Sequence, residues 1–324
     1  MKKLLFYIVT SMFLSGAAQA AGLPGPVVDS AWLAKNQNKV VILDVRADIK
    51  SFTSKPVFIK DKKSGKSKLA KVGGHVDGAR LVNYKKVRTD RTIDGKKVTR
   101  SLPVKKDFET LMQSAGLNQN DVVVIVSKGE SNSDMTMATR LYWQLKYYGH
   151  KDLAILDGGM AQWLLDKQSI STKASKIKKG NWQATTEDKT IFASSEDVAK
   201  SVAAGDTQLI DTRAVSMYLG TYRKSYVYSP GHIAGAKNYP NELLTESSSP
   251  ARFISKDDSA KLFKALGIDP AASSITYCNS GHLASGSWFV LHEVLGNKNV
   301  KLYDGSMHQW TLEKRPTTSV VETK

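Results

Sequence analysis

The chain of 324 residues contains one cysteine, Cys278, so no intramolecular disulfide can staple the fold. Beyond the N-terminus no run approaches the roughly 20 apolar residues that a membrane helix needs, and no membrane span is predicted. No group of Cys, His and carboxylate residues has metal-ligand spacing, so neither a metal nor a cofactor is expected. Acidic residues are the scarcer charge, 30 against 47 Lys and Arg, for a net charge of +17. A basic surface concentrates anions. Small anionic substrates, an anionic membrane surface or an acidic protein acceptor fit this balance. With an apolar share of 41%, the chain can still bury substantial cores.

The N-terminus reads as an export signal. Lys2 and Lys3 precede an apolar stretch over residues 4–14, and Ala18-Gln19-Ala20 fits a small-residue cleavage site. Residues 1–20 are therefore expected to be removed and the remainder to work in the periplasm, where nucleic acid is not an expected partner. About 300 residues are left, enough for two ordinary domains. An unpaired thiol in an oxidising compartment is a candidate reactive group.

The chain repeats itself. Leu43-Asp44-Val45-Arg46 matches Ile210-Asp211-Thr212-Arg213. Gly74-His75-Val76-Asp77-Gly78-Ala79 matches Gly231-His232-Ile233-Ala234-Gly235-Ala236. Asp157-Gly158-Gly159-Met160 with Trp163 matches Asp304-Gly305-Ser306-Met307 with Trp310. The shrinking offset gives the first copy two extra segments of ten residues, one assigned to the lysine-rich stretch 60–71 as an exposed loop. Short apolar runs predict buried strands over 40–43, 122–126, 153–156, 208–210, 274–277 and 301–303. Helices are predicted over 108–116, 136–148, 259–266 and 283–295. Such alternation implies an α/β fold, each copy a parallel sheet with helices on both faces. The predicted domains are 21–172 and 191–324, joined by a polar linker over 173–190.

Cys278 follows the strand predicted over 274–277, where ligands of parallel sheets bind. The small-residue loop Asn279-Ser280-Gly281-His282-Leu283-Ala284 lets successive amides curl toward the sulfur, and the next helix adds positive potential. Both favour the reactive thiolate. A cysteine phosphatase would need an arginine six residues on, where this chain has Ala284. At the 147-residue offset, Ser131-Asn132-Ser133-Asp134 falls opposite Cys278-Asn279-Ser280-Gly281, which leaves the first copy without a thiol.

Taken together, the D-x-R after the first strand, the G-H-I-x-G-A turn, the C-x-x-G loop and the Y-D-G-S strand end followed by a tryptophan resemble the two-domain sulfurtransferases of the rhodanese family. The resemblance covers nearly all of the chain after residue 20. It implies two rhodanese-like domains, the second catalytic, with Cys278 passing sulfur from an anionic donor to a thiol or cyanide. The loop residues 279–284 are the implied substrate cradle. Thiosulfate enzymes of the family carry basic residues after the cysteine and mercaptopyruvate enzymes Gly-Ser-Gly; Asn279-Ser280-Gly281 is nearer the second. The family's substrate arginine before Tyr218-Leu219-Gly220 is replaced by Met217, with Arg223 and Lys224 nearby as substitutes. Arg100, two residues before Leu102-Pro103, is an expected anion clamp. Asp211 and Arg213 are expected as a supporting ion pair, His75 and His232 as turn residues, Asp304 as a turn or cap residue with bordering the site as the alternative, and Tyr222, Tyr226 and Tyr228 as cleft wall.

Overall fold

The computed structural model describes residues 22–63 and 65–321. The expected export signal lies outside them. The first half runs β1 (Val27–Val28), α1 (Ser30–Asn36), β2 (Val41–Arg46), β3 (Val57–Lys60), β4 (Ser67–Lys71), β5 (Arg80–Asn83), α2 (Tyr84–Val87), β6 (Thr89–Ile93), β7 (Lys96–Ser101), α3 (Lys105–Ser114), β8 (Val123–Val126), α4 (Asn132–Tyr147), β9 (Leu153–Leu156) and α5 (Gly159–Leu165). The second runs β10 (Phe192–Ala193), α6 (Ser195–Ala204), β11 (Gln208–Asp211), α7 (Val215–Leu219), β12 (Lys237–Asn238), α8 (Lys256–Ala265), β13 (Ser274–Tyr277), α9 (Ala284–Phe289), β14 (Val300–Tyr303) and α10 (Ser306–Leu312).

Each half holds a five-stranded parallel sheet, ordered β1-β9-β8-β2-β5 in the first and β10-β14-β13-β11-β12 in the second. The order is the same once twin strands are matched. Buried parallel strands send alternate side chains to opposite faces. Val41, Leu43, Val123 and Ile125 pack toward α3 and α4, whereas Ile42, Val124, Val126 and Leu156 pack toward α1 and α5. The second half repeats this, with Ile210 and Leu302 facing α8 and α9, and Leu209, Ile275 and Tyr277 facing α6 and α10. The twins Trp163 and Trp310 are buried, and each indole N–H donates to a carbonyl six residues on, at 2.8 Å. These are the parallel sheets and two-faced helices expected from the repeat.

The two halves share one core. α4 packs against α9, and a single apolar cluster runs from Phe108, Leu141 and Trp143 to Trp288, Phe289 and Leu291. At its edge Glu293, in a π-helical turn that continues α9, accepts from Tyr142 Oη at 2.8 Å, pairs with Lys146 at 3.0 Å and lies 2.6 Å from His292 Nδ1. Burial alone would raise this carboxyl, but the hydrogen bonds from His292, Lys146 and Tyr142 outweigh it and hold it at about 2.

One expectation is corrected. The lysine-rich stretch 60–71 is not an irregular loop: β3 and β4 pair antiparallel as a hairpin. The segment 173–190, expected as the linker, has no helix or strand, and it packs on the first half. Trp182 is fully buried with its ring edge-on to Phe108, and the amides of Gly180 and Trp182 donate to Gln113 and Leu117. A lone tryptophan in a polar stretch carries no periodicity, so its burial was not legible.

A carboxyl whose folded pKa is depressed adds stability that is complete above its unfolded value and lost as pH falls through the folded one. Glu293→Gln should therefore lower stability at pH 7 and flatten the acid limb of a stability–pH profile between pH 4.5 and about 2. Denaturant melts across that range check this; parallel wild-type and variant profiles would contradict it.

Candidate active site

Cys278 caps the carboxyl end of β13 and is 2% exposed. The Ser280 amide points at Sγ at 3.4 Å. Not every loop amide turns to the sulfur: Gly281 N–H donates instead to Ser306 Oγ at 3.0 Å, and so does the Cys278 amide, also at 3.0 Å. The Ser306 hydroxyl donates onward to Tyr303 O at 2.8 Å. One side chain thus ties both ends of the turn to the neighbouring strand end. Ser306 adopts a left-handed backbone, φ 50°, which a non-glycine residue enters at some energetic cost.

The repeat shows what that serine is for. Met307 N donates to Cys278 O and His308 N to Asn279 O; in the first half Met160 N donates to Ser127 O and Ala161 N to Lys128 O. Ser127, not Ser131, therefore occupies the thiol position, which corrects the alignment at the 147-residue offset. The error arose because the connection from β8 to β9 is four residues longer than that from β13 to β14. Asp134 accordingly has no counterpart relation to the loop glycine. The twin of Ser306 is Gly159, also left-handed at φ 55°, and a Cβ there would meet Ser127 O at 2.4 Å. The half with the thiol keeps a serine where its twin keeps glycine.

The first half supplies most of the loop's other supports. Arg140, fully buried on α4, donates to Gly281 O at 3.1 Å and pairs with Asp304 at 2.5 Å, a close ion contact without hydrogen-bond alignment. Asp304 also accepts from Leu102 N at 2.7 Å, so it is an inter-half clamp rather than a turn or cap residue. Its twin Asp157 reciprocates by accepting from Phe253 N at 2.8 Å. Gly281 sits at φ 70° against Arg140 and Asp304, where a Cβ would come within 2.7 Å of both. Thr139 and Ser285 share a hydrogen bond of 2.8 Å.

His282 is held from the same side. Thr136 Oγ1 donates to Ser133 O and so accepts from His282 Nε2 at 3.1 Å. That network leaves Nδ1 as the acceptor for the Tyr84 hydroxyl. Burial first, then the charges of Arg88 and Arg140, hold His282 well below the usual histidine range, so the ring is neutral. Burial pushes the Tyr84 phenol up to about 12. Arg88 lies over the Tyr84 ring at 4.9 Å and reaches Ser280 Oγ at 3.4 Å. Tyr84, Lys85, Arg88, Arg100, Ser133 and His282 line a cavity of about 510 Å³.

The other anticipated residues are spread around this centre. Arg100 lines the cavity, its guanidinium 4.6 Å from the Tyr226 ring centroid. Arg223 is exposed and donates to Val227 O in its own loop at 2.8 Å; it is not among the residues lining the cavity. Asn279 donates to Met217 Sδ at 3.3 Å, and its Oδ1 is buried without a partner among the described residues. Leu283 and Ala284 pack into the shared core. Asp211 and Arg213 form a buried pair beneath the loop at 2.6 Å, with Arg213 also donating to Gly231 O at 2.7 Å; Asp44, Arg46 and Gly74 repeat the arrangement. His232 and His75 stack on Tyr218 and Phe52 and bond their carbonyls. Tyr226 packs edge-on against His308, while Tyr222 and Tyr228 are both solvent-exposed, Tyr228 with its ring also near His308.

Sequence reasoning missed Tyr84, Arg88, Arg140 and Ser306. The first three are distant in the chain and carry no motif. Ser306 was detectable, as the point where the two strand-end repeats differ.

A model of the rhodanese-like domain matches residues 28–166 and 194–313. A Mycolicibacterium smegmatis protein named "Putative thiosulfate sulfurtransferase" is 32% identical over 74% of this chain and 82% of its own length. The Thermus thermophilus sulfur carrier protein TtuD is 30% identical over 73% of this chain and 82% of its own. Among solved structures, SseA from Escherichia coli superposes with TM-score 0.69 at 24% identity, covering 87% of this chain and 98% of its own. Tum1 from Saccharomyces cerevisiae gives 0.71 at 18%, covering 92% and 99%.

Ser306→Gly should relieve the left-handed strain and leave stability within about 1 kcal/mol of wild type, while the turn loses its anchor. Alkylation of Cys278 at neutral pH, followed by intact mass, should slow about tenfold as the sulfur loses its amide contact. An unchanged rate would show that Ser306 does not position the loop. His282, depressed on folding, adds stability that is complete above its unfolded value of 6.5 and lost as pH falls below it. Replacing it with Gln should shrink the loss of stability measured between pH 7 and pH 5; an unaltered loss would contradict the neutral assignment.

Proposed function

The chain belongs to the rhodanese-like family as a sulfur-transferring enzyme, and from that premise we propose that Cys278 carries the sulfur as a persulfide. The observation that supports this most is the lone, buried thiol with an amide on its sulfur, beside a cavity whose charged lining is Lys85, Arg88 and Arg100 against one acid, Asp90. Thiosulfate and 3-mercaptopyruvate are both anionic sulfur donors suited to such a cavity. The Cys278 thiolate attacks the outer sulfur of thiosulfate; the new S–S bond forms as the old one breaks, and sulfite leaves with the electron pair. With 3-mercaptopyruvate the C–S bond breaks instead, and the pyruvate enolate takes up a proton from water. Cyanide or a thiol then attacks the terminal sulfur, giving thiocyanate or a new persulfide and restoring the thiolate. The two half-reactions make ping-pong kinetics the expected pattern.

In this reading Arg88 and Arg100 receive the anionic end of the donor, which their position in the cavity lining and the Arg88–Ser280 contact support. The neutral His282 adds no further cation there. The first half, with Ser127 at the thiol position, acts as scaffold and cleft wall. Export to the periplasm belongs to this reading and rests on residues 1–20. Among the described residues no helix is long and apolar enough to cross a membrane.

A second reading, a persulfide carrier with little turnover that delivers sulfur to an acidic protein, is favoured by Met217 at the family's arginine position and by the likeness to a sulfur carrier protein. Steady-state rates with small acceptors separate the two, since a carrier forms the persulfide but turns over slowly.

Incubation with thiosulfate or 3-mercaptopyruvate should add one sulfur, about 32 Da, to the wild type and none to Cys278→Ser. Absence of that species with every donor would overturn the proposal. Arg88→Ala should reduce kcat/KM by about ten- to a hundredfold, mainly through KM, as a lost charge-assisted contact does.

A further inference from the structure

We propose that the β3–β4 hairpin docks this protein on an anionic phospholipid surface. The fold does not require the hairpin. The first half spends ten more residues than the second between its D-x-R arginine and its G-H histidine, and the second half fills the same connection with the short α7 and a loop. What the extra chain presents is unusual for a solvent-facing element. Val57, Phe58 and Ile59 are consecutive and 45%, 44% and 52% exposed. Around them stand seven exposed lysines, Lys55, Lys60, Lys62, Lys63, Lys66, Lys68 and Lys71, against one acid, Asp61.

The strand register arranges these groups. Ile59 lies opposite Lys68 on one face, Val57 falls on that face of its own strand, and Lys71 lies opposite Val57 across a bulge that skips Ala70. Phe58 lies opposite Leu69, and Leu69 leans on the core of the first half. The face with Val57, Ile59 and Lys68 therefore points outward. The antiparallel bridge between His75 and Ser171 leads into a second basic stretch of the same half, with Lys173, Lys176, Lys178 and Lys179 all exposed, which runs past Ala79 and Gly116 rather than along the hairpin.

Aliphatic groups interleaved with lysines suit a headgroup layer. The aliphatics enter the acyl boundary, the lysine stems follow them, and the ammonium groups stay among the phosphates. An acidic protein surface would have to present carboxylates matching unevenly spaced lysines and desolvate each pair at a cost. Mobile anionic lipids gather around whatever spacing the lysines have. Each lysine near such a surface strengthens partitioning roughly fivefold.

The test uses the chain from Ala21 onward, which contains every described residue, and co-sedimentation with vesicles. Wild type should bind phosphatidylglycerol–phosphatidylcholine vesicles, bind phosphatidylcholine vesicles weakly, and release as salt is raised. Replacing Lys60, Lys68 and Lys71 together by Gln should weaken partitioning about a hundredfold. Val57→Ser with Ile59→Ser should weaken it about tenfold. Both variants should keep wild-type sulfur-transfer rates, showing that they are folded. Equal binding to neutral vesicles, or variants that bind like wild type, overturns the proposal. Retention on immobilised polyglutamate without vesicle binding also overturns it, in favour of an acidic protein partner.

Discussion

Arg140 holds the cysteine loop from the opposite half of the molecule. It is fully buried, bonds the Gly281 carbonyl and faces Asp304, whose other oxygen takes the Leu102 amide. A buried charge is tolerable only while its partner is present, and removing one member of such a pair typically costs about 3–5 kcal/mol. The loop around Cys278 therefore has its geometry only when both halves are docked. The apolar cluster running through α4 and α9 makes that docking a continuation of the core. The half without a thiol is thus a structural component of the site in the other half, through Tyr84, Arg88, Thr136 and Arg140.

Duplication lets the molecule serve as its own control. The D-x-R ion pairs, the stacked histidines and the tryptophans under the last strand recur in both halves with matching partners. Features that recur in both halves hold the fold. The proposed site lies where the halves part company: cysteine against Ser127, and Ser306 against Gly159. A left-handed serine is retained only in the half with the thiol, where its hydroxyl spans two loop amides. Strain of this sort is tolerated where the surroundings over-determine it, and such places tend to be functional.

The repeat made the parallel sheets and their central strands legible, because four-residue apolar runs bounded by turns survive as a pattern. Two-residue edge strands such as β1 and β12 fall below any periodicity. Short motifs located Cys278 and its loop, but counting from a distant motif put Ser131 where Ser127 stands, since four extra residues intervene before β9. Arg140, Tyr84 and Arg88 act over more than a hundred residues of sequence separation, and nothing local marks them. The burial of Trp182 was hidden for the same reason: its partners, Phe108 and Leu117, lie in another part of the chain.

The central claim is that sulfur rides on Cys278 inside a loop shaped by both halves. A crystal structure of donor-treated protein tests it most directly. The account predicts one additional atom bonded to Cys278 Sγ at about 2.05 Å, facing the cavity of Tyr84, Arg88 and His282, with the Ser306 and Arg140 contacts to the loop intact. An unmodified Sγ in fully donor-treated crystals, or sulfur density elsewhere in the molecule, would contradict it.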